Sequence, residues 1–118
     1  MNASTNWVFV CPVDRIQPER GVAALVDNTQ IAVVRTFDGP LFAVSNRDPL
    51  AGAQVMSRGI VGSRGEAPTL TSPLHKQVYD LRTGECLDVP GVSLPTFPVR
   101  CQDGSVEVAL SAEVALST

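Results

Sequence analysis

With 118 residues the chain has the length of one domain, enough to bury a core without a metal or disulfide framework. Its 44% hydrophobic and 18% charged content is that of a globular protein, and its net charge of -3 excludes a nucleic-acid binder, which needs a basic footprint. No polybasic segment suits an anionic membrane surface, and no run approaches the roughly 20 apolar residues of a spanning helix.

The opening MNASTNWVFV has neither the positive region nor the apolar stretch of a secretory signal. Cys11, Cys86 and Cys101 are odd in number, widely spaced and without a C-x-x-C pair. Together these predict a cytoplasmic protein with free, buried or half-buried structural thiols.

In chain order, residues 7–10 read as a short apolar strand, with Trp7 packed in the core. After a Pro/Gly/charged segment, residues 22–26 and the β-branched run 31–37 flank the turn chemistry of Asp27-Asn28. Asp38-Gly39 then separates 31–37 from 41–44, a hairpin whose loop exceeds two residues because Pro40 follows the glycine. Residues 46–71, with Gly52, Gly59, Gly62 and Gly65, read as a long irregular segment. A second hairpin is predicted at 77–81 and 85–89 around Arg82-Thr83-Gly84, and a third at 96–101 and 105–110 around Gln102-Asp103-Gly104. In the last strand Val106, Val108 and Leu110 share one face. Residues 111–118 read as a loose tail, and no internal repeat is evident. Short strands at regular spacing predict an all-β barrel or sandwich.

Two segments carry a specific pattern: NRDPLAGA at 46–53, following the strand LFAVS, and SPLHKQVYDLRTGE at 72–85. Together they resemble the Rieske iron–sulfur fold, in which a C-P-H-x-G-A loop and a C-P-x-H-G loop precede an aromatic strand and D-x-x-T-G-E. Pro73, His75, Tyr79, Asp80, Thr83 and Gly84 fit that pattern. The resemblance implies an antiparallel, all-β, Rieske-like domain over 1–118, with degenerate ligand loops at about 46–56 and 70–80.

A Rieske centre takes two cysteine thiolates and two histidines. Here Asp48 stands at the first cysteine, Leu50 at the first histidine and Ser72 at the second cysteine, so only His75 is retained. Leucine donates nothing, and Asp and Ser offer hard oxygens in place of soft thiolates. The resemblance therefore implies no [2Fe-2S] cluster, no metal and no catalytic residue in this chain. A mononuclear site on Asp48 and His75 has two ligands where zinc sites use three or four. A Ser72–His75 nucleophile has no orienting acid. GIVGSRG lacks the Lys-Ser/Thr of a phosphate loop, and Arg58 and Arg64 read as solvating that segment.

Trp7, the Cys11-Pro12 pair and S-P-L-H-x-x-x-[FY]-D-L-x-T-G-x-C, matched through Cys86, further resemble the small-subunit family of assimilatory NAD(P)H nitrite reductases. That resemblance implies a large-subunit partner holding FAD, NAD(P)H, sirohaem and an iron–sulfur cluster and reducing nitrite to ammonium. It implies no nucleic acid, membrane or small-molecule ligand for this chain. The emptied loops are then expected to dock on that partner through Asp48, Pro49, Leu50, Pro73, Leu74 and His75. Two other readings of the residues are a ferredoxin with unusual ligands and a stand-alone interaction module.

Overall fold

The structure is a computed structural model and describes residues 6–110; the tail reading at 111–118 lies outside the described residues. Ten strands form three antiparallel sheets, and no α-helix occurs among the described residues. Strands β1 (Val8–Pro12), β9 (Val99–Gln102) and β10 (Ser105–Val108) form one sheet in the order β1-β10-β9. The second, β2-β3-β4-β8, joins Arg20–Val26, Thr29–Arg35, Leu41–Ser45 and Thr96–Phe97. The third, β5-β6-β7, joins Ile60–Arg64, Ala67–Thr71 and Val78–Asp80.

The four-stranded sheet is the middle layer. Ile31, Val33 and Ala43 pack with Val106 and Val108 of the first sheet, while Ala32, Val34 and Val44 pack with Val61, Leu70 and Tyr79 of the third. Residues 31–34 of β3 are therefore buried on both faces, which is why they read as an unbroken apolar run.

Several expectations change in the structure. The segment at 46–71 is not irregular throughout: its second half is the β5–β6 hairpin, closed by Gly65 at φ +62°. The expected strand 96–101 is split at Pro98, so that β8 joins β4 and β9 joins β10; proline has no N–H for a continuous ladder. The return 85–89 is only a pair of isolated bridges, Tyr79 with Cys86 and Glu85 with Ser93. The strand at 105–110 stops at Val108. Trp7 is half-buried rather than core, with the Arg100 guanidinium 4.3 Å from its ring centre. Of the free cysteines, Cys86 is buried and Cys11 half-buried as expected, but Cys101 is exposed on edge strand β9.

Candidate functional site: two twin loops over a buried carboxylate

Strand β4 delivers the chain into loop 46–55, and β6 delivers it into loop 72–77. Asn46 anchors the first. Its N–H donates to Gln30 O (3.0 Å), its Oδ1 accepts from Ser57 N (2.7 Å), and its carbonyl accepts from Met56 N (3.0 Å).

The hexapeptides DPLAGA and SPLHKQ then fold into the same turn. In the first, Asp48 O accepts from Gly52 N (2.7 Å) and Asp48 N donates to Ala53 O (2.8 Å). In the second, Ser72 O accepts from Lys76 N (3.1 Å) and Ser72 N donates to Gln77 O (3.0 Å). Each side-chain oxygen also accepts the N–H two residues on: Leu50 N to Asp48 Oδ1 at 2.8 Å, and Leu74 N to Ser72 Oγ at 3.2 Å. The fifth residue of each is left-handed, Gly52 at φ +78° and Lys76 at φ +64°. The shared Pro-Leu at 49–50 and 73–74 is the sequence signal of this short repeat.

Asp48 and Ser72 lie beneath the loops, both 0% exposed, and join them. Asp48 Oδ1 accepts from Leu50 N, Ala51 N (3.1 Å) and Gln77 Nε2 (2.9 Å), and the Ser72 hydroxyl donates to Oδ2. Burial pushes the carboxyl pKa up. The hydrogen bonds from Ser72, Leu50, Ala51 and Gln77 outweigh that and hold it below the usual carboxylate range. Gln77, absent from the sequence-based site, also donates to Tyr79 Oη at 2.8 Å. Turning its NH₂ toward the carboxylate leaves its buried Oε1 without a partner. Burial, aided by the Asp48 charge, raises the Tyr79 phenol and keeps it neutral.

The former ligand positions thus separate by depth. Asp48 and Ser72 are buried, whereas Leu50 (47% exposed) and His75 stand in solvent, as does the neighbouring Leu74 (51%). Asp48, expected to contact a partner, is instead enclosed beneath the loops, where its carboxylate takes up their N–H groups. The side chains do not fit a [2Fe-2S] cluster. The two thiolate positions are oxygens committed to each other, one histidine position is leucine, and no cluster of three His, Cys, Asp or Glu side chains occurs among the described residues. Two depressions lie away from the loops. One of about 290 Å³ lies between β1 and β2, and one of about 320 Å³ between the Phe37 and Glu66 turns.

A three-layered antiparallel shell ending in two ligand-type loops defines a Rieske-like domain. Residues 6–109 match the family described as "Rieske-like [2Fe-2S] domain". Within that class the chain belongs to the small-subunit family of the NADH nitrite reductases. The Escherichia coli K12 nitrite reductase (NADH) small subunit is 34% identical over 105 residues, covering 88% of this chain and 97% of the relative. A crystal structure described as an NADH-dependent nitrite reductase small subunit from Mycobacterium tuberculosis is 45% identical. It superposes with a TM-score of 0.88, covering 93% of this chain and 99% of that one. A Klebsiella oxytoca nitrite reductase [NAD(P)H] large subunit is 35% identical over 105 residues, covering 89% of this chain and 11% of its own length. No helix among the described residues is long and apolar enough to cross a membrane.

Proposed function

We propose that this chain is an accessory, cluster-free subunit of a cytoplasmic NAD(P)H nitrite reductase serving nitrate assimilation. It docks through its twin loops on a large subunit that carries FAD, sirohaem and an iron–sulfur cluster and reduces nitrite to ammonium. The observation that carries this reading is the pair of leucines, Leu50 and Leu74, held half-exposed on loops clamped from below by Asp48. Apolar side chains on a rigid scaffold lose little conformational freedom on binding, and Pro49 and Pro73 stiffen each loop further. The Klebsiella relative supports the partner, because there a stretch similar to this chain is part of the large-subunit polypeptide itself.

The test is co-expression with the large subunit. Leu50→Asp and Leu74→Asp, both at solvent-facing positions, are expected to leave the domain folded. Each should lower co-purification and large-subunit affinity at least about tenfold, the scale of losing a buried interface leucine. Unchanged co-purification with both substitutions contradicts docking through the loops. Nitrite-dependent NAD(P)H oxidation with and without this chain measures what the subunit contributes.

A further inference from the structure

The docking loops differ in charge from the rest of the chain. The molecule is formally -3, yet loops 46–55 and 72–77 carry exposed Arg47 and Lys76 and one acid, Asp48, which is buried and fully hydrogen-bonded. One cation lies at each of the twin turns. Arg47 Nη2 lies beside Gly52, 3.5 Å from where a Cβ on that glycine would stand. Lys76 itself occupies the left-handed position that the first loop gives to Gly52. A lysine in this conformation is strained relative to glycine, and its Nζ is steadied by donating to Pro73 O at 3.1 Å. Backbone conformation alone favours glycine at 76, as at the matching position 52, yet the chain places a charged side chain there.

Resting on the docking reading above, we infer that the loops recognise an apolar depression bordered by carboxylates on the large subunit. Leu50 and Leu74 enter the depression, and Arg47 and Lys76 meet the acidic border. Opposite charges at an interface rim raise the association rate, and their effect is screened by salt.

The experiment is calorimetric titration of the purified large subunit with the full chain at about 50 and 200 mM salt. Wild-type affinity falls with added salt. Lys76→Gly raises the melting temperature of this chain by removing the strain, and weakens association about three- to tenfold at low salt with a flatter salt dependence. Lys76→Arg retains the affinity, and Lys76→Glu weakens it further. If Lys76→Gly binds like wild type with the same salt dependence while Leu50→Asp and Leu74→Asp abolish binding, the acidic border is wrong and loop docking stands. If the leucine variants also bind like wild type, both readings fall.

Discussion

Replacing Asp48 with alanine is expected to lower unfolding free energy by about 3–5 kcal/mol, a large share of the stability of a domain this size. The reason is the donors left behind. Leu50 N, Ala51 N, the Gln77 amide and the Ser72 hydroxyl all converge on this carboxylate, and the Ser72 and Gln77 side chains are buried. Each stranded buried donor costs about 1–3 kcal/mol, reduced where water enters the space the carboxylate vacates. Asp48→Asn keeps the shape but turns an NH₂ toward one of those donors, so a smaller loss of about 2 kcal/mol is expected.

The same residue sets an acid dependence. Because the folded pKa of Asp48 is lowered, its contribution is complete above the ordinary carboxylate value of about 4 and is lost as pH falls through the folded value. Urea titrations of the wild type and Asp48→Asn between pH 7 and pH 3 should therefore converge toward acid. The slope that remains in the variant belongs partly to Asp80, whose carboxylate is held low by Arg82 at 3.0 Å. A constant difference between the two proteins across that range contradicts an ionised, hydrogen-bonded Asp48.

Gly84→Ala is expected to be as damaging for a reason of space. Gly84 closes the turn after β7, with its N–H on Asp80 O (2.7 Å) and its carbonyl accepting from Leu94 N (2.7 Å). A Cβ there would stand 1.9 Å from Leu94 O, at φ +83°. Relief moves the backbone of Leu94, whose side chain is a fully buried part of the core behind the twin loops. The combined cost is about 3–5 kcal/mol, a fall in Tm of roughly 10–20 °C. Gly91→Ala is the control. It has the same φ of +83° but nothing within 4 Å of the added Cβ, so it should cost only about 1 kcal/mol. Equal Tm values for the two variants would show that conformation, not the approach of Leu94, is what glycine serves at 84.

Much of this architecture is legible in the residues. The apolar run at 31–34 and the Asp38-Gly39 turn mark β3 and β4, and the spacing of Asp48, Leu50, Ser72 and His75 brings out the ligand-type loops. The β5–β6 hairpin escapes because IVGSRGEAPT is dominated by small, polar and Pro residues, and its pairing is supported by core contacts of Val61 and Leu70 with the middle sheet. Residues 96–101 alternate like one strand, and only the tertiary layout shows that Pro98 divides them between two sheets. In the site, local sequence reports which residues sit on the loops but not their depth. Asp48 and Ser72 are 24 positions apart, and Gln77 enters only because the turn at 72–77 swings it back under the first loop. A polar residue before an aromatic strand carries no signal of that role.

An oxygen-based clamp of Asp48 and Ser72 stands where the wider class carries iron and sulfur. Iron analysis and visible absorption of the chain, after anaerobic purification and after reconstitution with ferrous iron and sulfide, test whether the clamp excludes a cluster. The expected result is a colourless protein without stoichiometric iron in both preparations. Two irons per chain with the visible bands of a [2Fe-2S] centre would contradict it and make the chain an electron carrier.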